Sequence, residues 1–367
     1  GFAEELLRRA FPEARRLRLT PLSAGRAAAG VYIVVAMMDG DETLLPFVAK
    51  VAGRGEIITE ARRFERRVRD YVPFGSRPNF LLERSFVRAS YGILVGQFAD
   101  RTVGLRDAIR REGAMGAIHD LFSRVLHRWW ANAFRADSSS NTFEAALPKW
   151  LVSGPPRFDR EAILDKRFGD ASGLRLGPLL RRDALAEGFR TAGALRLGRV
   201  HGDLNCENVL VRGQSALVID FSHCENGAIL ADPAWLEINL VFGWGSAEED
   251  HVGWATVVER LYDPRRQPLS PYVAEELDHE RLHDELHRLC RAVAEIRRQA
   301  LVAALDPSTY LYVLAGSLVR FASVPISPHE DVTAVEQLNE RAAIAYFVAC
   351  KILRHLSNHA ASTASAA

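Results

Sequence analysis

The chain has 367 residues, 48% hydrophobic and 25% charged, an ordinary globular balance with length for one large two-lobed unit or two domains. Its 47 basic and 46 acidic residues leave a formal charge of +1, so nothing in the charge points to a nucleic acid or a membrane surface. No apolar run approaches the ~18–20 residues of a membrane span, the longest being Ala342 to Cys350, and no signal-peptide pattern opens the chain.

The four cysteines, Cys206, Cys224, Cys290 and Cys350, form neither a metal-binding spacing nor a disulfide framework. Reduced thiols in a cytoplasmic protein are therefore expected, with Cys206 and Cys224 flanking the motif described below. The first residue is Gly rather than Met, so the chain is expected to be trimmed or excised from something longer. Lysine occurs only at Lys50, Lys149, Lys166 and Lys351, in a chain that otherwise uses arginine, so each lysine invites a reason.

Residues 1–19 read as an amphipathic lead-in helix, with Phe2, Leu6, Leu7 and Ala10 on one side and Pro12 ending it. Two strand-like runs follow, separated by Gly25-Arg26-Ala27-Ala28-Ala29-Gly30. Such a small-residue loop lets backbone N–H groups approach phosphates, although a strict G-x-G-x-x-G is absent. Asp39-Gly40 is a hairpin turn leading to the strand Leu44–Val51, which carries Lys50. A compact ammonium suits a point contact to phosphate better than a broad guanidinium. The next helix, Glu56 to Tyr71, has Ile57, Ala61, Phe64, Val68 and Tyr71 at helical spacing. At ~100° per residue Glu60 lies about 40° from Phe64, whereas Glu65 lies about 100° away. Glu60 is therefore the carboxylate expected to pair with Lys50, with Glu56 as the second candidate. Two further strands, Phe80–Val87 and Tyr91–Val95, precede Gly96-Gln97-Phe98-Ala99-Asp100.

Residues 101–199 are mostly helical in pattern, and Leu121–Trp130 is an apolar-faced helix whose tryptophans read as core. The chemistry is concentrated in His201-Gly202-Asp203-Leu204-Asn205-Cys206-Glu207-Asn208, followed by Val218-Ile219-Asp220-Phe221. A loop bearing an acid and an amide, then a short hairpin delivering a second acid, suits phosphoryl transfer. Asp203 can orient an attacking hydroxyl and take its proton, with His201 as the second candidate catalytic residue. Asn208 and Asp220 offer the hard oxygen ligands that Mg²⁺ requires.

H-G-D-x-x-x-x-N followed by I-D-F resembles the catalytic loop of the aminoglycoside phosphotransferase and choline kinase group, ATP-dependent kinases that share the protein-kinase architecture. Val48-Ala49-Lys50 is similar to the kinase strand whose lysine binds the nucleotide phosphates. The resemblance implies an α+β fold: a bilobal protein-kinase-like chain with a small antiparallel β-sheet N-lobe (1–98) and a large helical C-lobe (99–360). The catalytic loop, 201–221, falls in the second lobe. It implies ATP and Mg as cofactors, phosphate contacts at Gly25, Arg26, Gly30 and Lys50 (held by Glu60), and an adenine-binding hinge at Gln97, Phe98 and Ala99. In Asp232-Pro233 it implies an aspartate that braces the catalytic loop. Gly202 stands in place of the arginine of H-R-D and Ser222 in place of the glycine of D-F-G, so no activation-loop phosphate reader is expected. The order of elements is also similar to ternary-complex-associated kinase domains of larger bacterial conflict or signalling proteins.

The remainder reads as helices near 247–262, 272–303, 308–322 and 333–357, with a flexible low-complexity tail, 361–367. His279, His283, His287 and Cys290 line one helix flank, but His283-Asp284-Glu285-Leu286-His287 is not H-E-x-x-H, so a polar flank is expected rather than zinc. The expected function is ATP·Mg-dependent transfer of the γ-phosphate to a hydroxyl of an unidentified small molecule or protein. The alternatives are a nucleotide-binding scaffold within a larger assembly, and transfer of AMP. Partners other than nucleotide, acceptor and neighbouring domains or subunits are not expected.

Overall fold

The computed structural model describes residues 2–23, 30–39, 43–44, 46–97, 101–112, 114–136, 195–244, 251–263, 284–323 and 332–366. Helix α1 (Phe2–Ala10) buries Leu6, Leu7 and Ala10, and Pro12 ends it as its missing N–H requires. The chain then enters an antiparallel sheet. Strands β1 (Arg16–Ser23), β2 (Gly30–Met37) and β3 (Phe47–Gly53) lie side by side, and β3 pairs on its other edge with a later strand, Tyr91–Gln97. Alternation along β3 decides its two faces. Ala49 and Val51 pack with Val34, Ala36, Ile93 and Val95 against Leu7 and Phe11. Ala52, on the opposite face with Lys50, packs with Leu94 and Ile57.

Ile57 belongs to α2 (Arg54–Arg63), which continues into a π-helical turn, Phe64–Val68. The buried residues Ile57, Glu60, Phe64, Val68 and Val72 step by three and then by four. Four-residue steps drift around an α-helix of 3.6 residues per turn, and the wider π turn absorbs that drift. All five side chains therefore remain on the inward face.

The strand expected over Phe80–Val87 is broken. Short β4 (Asn79–Phe80) and β5 (Phe86–Val87) flank a 3₁₀ turn, Leu82–Arg84, and both pair with β6 (Tyr91–Gln97). Ser85 causes the break to be tolerated: its Oγ accepts from Val95 N–H at 2.9 Å and donates to Leu81 O at 2.7 Å, replacing ladder bonds.

Beyond β7 (Val103–Gly104), helices α3 (Leu105–Glu112), α4 (Met115–Asp120) and α5 (His127–Ala131) begin the helical lobe. Trp129 and Trp130 are core, and the Trp129 indole donates to Arg67 O at 3.0 Å, fastening this lobe to the π turn. Strands β8 (Phe134–Ala136), β9 (Leu195–Val200), β10 (Val209–Arg212), β11 (Ser215–Val218) and β12 (Glu225–Ala228) form two small sheets with β7, in the orders β11-β10-β7 and β12-β9-β8. The loop between β9 and β10 carries the H-G-D motif, so strands hold both of its ends.

Helix α6 (Ala231–Phe242) is buried along nearly its whole length. It is followed by α7 (His251–Leu261), α8 (Asp284–Ala303), α9 (Pro307–Ser323) and α10 (Val332–Ala366). The expected helix start at 272, with His279 and His283, lies outside the described residues; α8 is described from Asp284. Helix α10 runs on to Ala366, through the tail expected to be flexible, in keeping with the high helix propensity of its alanines. No helix among the described residues is long and apolar enough to cross a membrane.

One ion pair sits inside this helical core. The Arg297 guanidinium donates to both carboxylate oxygens of Glu237, at 2.6 Å and 3.1 Å, and to Leu261 O at 3.0 Å, while the Tyr310 hydroxyl donates to Glu237 at 2.9 Å. Glu237 and Arg297 are 0% and 1% exposed, so deleting one leaves the other as an uncompensated buried charge. Arg297→Met is expected to cost about 3–5 kcal/mol in urea unfolding, and the paired Glu237→Leu/Arg297→Met variant to regain most of it.

Candidate active site

Lys50, Glu60 and Asp220 come from β3, α2 and the end of the β10–β11 hairpin. The Lys50 ammonium lies 2.8 Å from Glu60 Oε2 and donates to Asp220 Oδ1 at 2.9 Å. Glu60 is 2% exposed, deeper than the margin of the inward face where its helical angle had put it. Burial raises its carboxyl to about 7, with Lys50 pulling the other way. Burial would also raise Asp220, but the Lys50 ammonium and the Ser222 N–H outweigh it and hold that carboxyl below the ordinary range. For Lys50, burial acts downward and the two carboxylates prevail, so the amine stays protonated above its usual value.

The H-G-D loop is anchored from beneath. Asp232, in the first turn of α6, accepts from His201 N–H at 2.7 Å and Gly202 N–H at 3.0 Å. The His201 ring, 0% exposed, accepts the Asp203 N–H at Nδ1 (3.3 Å) and reaches Ile219 O through Nε2 (2.9 Å), which fixes the tautomer as Nε2–H. Both ring nitrogens are thus committed within the protein. This corrects the expectation that His201 is catalytic: it joins the loop to the residue before Asp220 and has no free atom for a substrate.

Ile219 N–H donates in turn to Asn208 O at 3.0 Å. Asn208 spends its Nδ2 on Asp203 O at 2.8 Å. Asn205 Oδ1 accepts from Glu207 N–H (2.9 Å) and Asn208 N–H (3.1 Å), and its Nδ2 reaches Asp203 Oδ2 at 3.3 Å. The Asp203 carboxylate receives two stronger bonds on Oδ1, from the Trp235 indole and the Arg320 guanidinium, both at 2.9 Å. Asn205, Trp235 and Arg320 were not singled out in the sequence. Arg320 carried a signal, being the lone charge in the apolar run Tyr310–Ala322, where a buried cation needs a partner.

Two backbone positions explain residue choices in the motif. Gly202 has φ +78°, and a Cβ there would stand 2.5 Å from His223 O. No side chain fits, which accounts sterically for glycine where H-R-D carries arginine. Asp220 itself is left-handed (φ 57°, ψ 73°), and its carboxylate accepts from Ser222 N–H at 3.3 Å. Cys206 and Cys224, which flank the motif, are buried. Burial raises both: Arg106 opposes the effect at Cys206 from 3.2 Å, and Cys224 is pushed up to about 12.

Beside these groups lies a cavity of about 180 Å³. Val48, two residues before Lys50, lines it together with Leu210, Ile219, Gln97 and Phe74. Arg77, Asn79 and Arg212 also line it, so the cavity mixes apolar and polar side chains, and Ile219 stands one residue before Asp220. Gly30 opens β2 opposite Val51, one place from the Val31–Lys50 pair. Gly25, Arg26, Phe98 and Ala99 lie outside the described residues. His287 and Cys290 lie on α8, and among the described residues no group of three His, Cys, Asp or Glu is placed to hold a metal. An amide oxygen and a carboxylate, both hard donors, fit Mg²⁺ completed by phosphate and water oxygens.

The sequence model of the family described as ternary complex associated domain 9 matches residues 178–312, the stretch that contains the H-G-D loop. No curated protein sequence matches the chain. Among solved structures, the aminoglycoside phosphotransferase APH(4)-Ia is similar over 96% of this chain and 98% of its own, with TM-score 0.50 and 14% identity. The amicoumacin kinase hAmiN, solved with AMP-PNP, Ca²⁺ and its antibiotic, is similar over 93% and 92% (TM-score 0.43, 12% identity). A choline/ethanolamine kinase family protein from Mesorhizobium loti is similar over 92% of each chain (TM-score 0.43, 14% identity). The chain has the bilobal α+β protein-kinase-like fold of aminoglycoside phosphotransferases.

Two outcomes follow from this geometry. Gly202→Ala is expected to lower the unfolding free energy by about 1–3 kcal/mol, read by chemical denaturation, because the alanine needs a left-handed backbone against a carbonyl. Glu60 gives a pH dependence with a definite sign. Its folded value of about 7 exceeds the ordinary 4.5, so its contribution to stability is full below 4.5 and is lost as pH rises through about 7. Glu60→Gln should therefore gain stability relative to the parent as pH rises from about 5 to about 7.5, measured as paired thermal unfolding curves.

Proposed function

We propose that this chain is an ATP·Mg²⁺-dependent phosphotransferase that delivers the γ-phosphate to a hydroxyl of a small molecule or a protein. The observation that carries the reading is the meeting of Lys50, Glu60 and Asp220, together with the bond from Ile219, the residue before Asp220, to Asn208 O of the Asp203–Asn208 loop. The base enters the cavity between Val48 on one side and Leu210 and Ile219 on the other, with its polar edge toward Gln97. Lys50 meets the phosphates, steadied by Glu60, and Gly30, one place from the Val31–Lys50 pair, borders them. Asn208 Oδ1 and Asp220 hold the metal, whose positive charge offsets charge on the phosphates when bound. Asp203 holds the acceptor hydroxyl in line and takes its proton. His201 and Asp232 keep the loop in place without touching substrate. Rate enhancement in such a site comes from positioning and fixed charge rather than from covalent chemistry.

The four buried free cysteines support a reducing, cytoplasmic setting. The match to a ternary complex associated domain supports work within a larger assembly with other domains or subunits.

Asp203→Asn is the decisive variant. Phosphate release from Mg·ATP, measured with water and with a panel of alcohols, amino sugars and protein acceptors, should fall by about 100-fold or more. Calorimetric affinity for Mg·ATP should stay close to the parent value. Turnover like the parent's in that variant would contradict the assignment of Asp203. Tight binding without transfer by the parent chain would favour a scaffold, and an added AMP in the intact mass would favour nucleotidyl transfer.

A further inference from the structure

Arg320 arrives at the site from α9, far along the chain from the loop it meets. Its Nη1 donates to Gly202 O at 2.9 Å, its Nη2 donates to Asp203 Oδ1 at 2.9 Å, and its guanidinium lies 3.9 Å from the centre of the Trp235 ring. Trp235 donates its own indole N–H to the same Oδ1 at 2.9 Å. The two residues therefore form a stacked unit that closes on one oxygen of Asp203. Among the described residues, the other oxygen, Oδ2, keeps only the 3.3 Å contact with Asn205.

We propose that Arg320, seated on Trp235, is a positioning residue for Asp203: it saturates Oδ1 and so leaves Oδ2 as the oxygen that receives the acceptor proton. This rests on the phosphotransferase reading of the site. A carboxylate free to rotate presents two equivalent oxygens along many directions, whereas one pinned through Oδ1 presents a single lone-pair direction. The two donors of Arg320 address a backbone carbonyl and a carboxylate at once, and its flat face stacks on an indole. A lysine can make one of those bonds but neither the fork nor the stack. The clamp also ties the end of α9 to the loop, so the helical lobe takes part in setting the angle of the base.

The test uses the full chain, Mg·ATP and water as the acceptor, with release of inorganic phosphate as the signal. Arg320→Met should lower kcat by about 10–100-fold while the KM for Mg·ATP moves by less than about threefold. Arg320→Lys should recover part of that loss. Trp235→Phe, which keeps a ring under the guanidinium but deletes the indole donor, should cost about tenfold in kcat. Hydrogen–deuterium exchange of the amides from His201 to Asn208 gives a readout independent of turnover, and should quicken in Arg320→Met while the α9 amides are unchanged. Parental kcat and parental loop exchange in Arg320→Met would overturn the proposal. So would a loss confined to global stability, with kcat per folded molecule intact. If the parent chain transfers phosphate neither to water nor to the panel of alcohols, amino sugars and protein acceptors, while the loop still loosens in Arg320→Met, the positioning stands and the phosphotransferase reading falls.

Discussion

A single ammonium ties three distant parts of this chain together. Lys50 stands on the central strand of the small lobe, Glu60 on the helix behind it, and Asp220 at the edge of the helical lobe. Burying a charge is costly unless partners surround it, and burying Glu60 without Lys50 would be costlier still. The three groups therefore specify one another's positions. The inward set of α2, kept in register by its π turn, brings Glu60 to Lys50, and the β10–β11 hairpin brings Asp220. The cleft between the lobes has its shape because these charges must meet.

The loop that faces this cation is built with little freedom. Asp232 takes the N–H groups of His201 and Gly202, the imidazole links Asp203 to Ile219, and Asn208 is bonded at both its backbone carbonyl and its amide. Almost every polar atom of the loop is used to hold the loop. Among the described residues, Asn208 Oδ1 takes no bond inside the loop and Asp203 Oδ2 keeps a 3.3 Å contact with Asn205, and these are the oxygens that the proposed reading uses with Asp220. Gly202 belongs to the same logic, because the loop passes so close to His223 O that a side chain would force it outward.

Much of this was legible from residue spacing because the relevant rules are local. A helical angle selected Glu60, a scarce lysine drew attention to Lys50, and the spacing of acid, amide and acid marked the loop. The structure puts Lys50 against Glu60 and also against Asp220, a contact that the spacing did not announce. What escaped depended on tertiary approach. Arg320 and Trp235 meet Asp203 only because α9 and α6 pack against the loop, and no local period announces that. His201 looked chemical because histidine so often is, yet burial and two internal bonds make it a brace. The strand over Phe80–Val87 failed because Ser85 supplies side-chain hydrogen bonds where the ladder was expected to continue. Those bonds follow from a side chain, not from propensity.

The fold fits the aminoglycoside phosphotransferase APH(4)-Ia across 96% of the chain, while identity is 14%. Chemistry in this chain must therefore be argued from its own atoms. The central claim is that Asn208 and Asp220 hold a metal against nucleotide phosphates that Lys50 also meets. A crystal structure of the full chain with Mg²⁺ and AMP-PNP tests it most directly. The account predicts Mg²⁺ bonded to Asn208 Oδ1 and an Asp220 carboxylate oxygen at about 2.0–2.1 Å, with the base in the Val48–Leu210–Ile219 slot. A nucleotide bound elsewhere, or a metal that bypasses both residues, would contradict it.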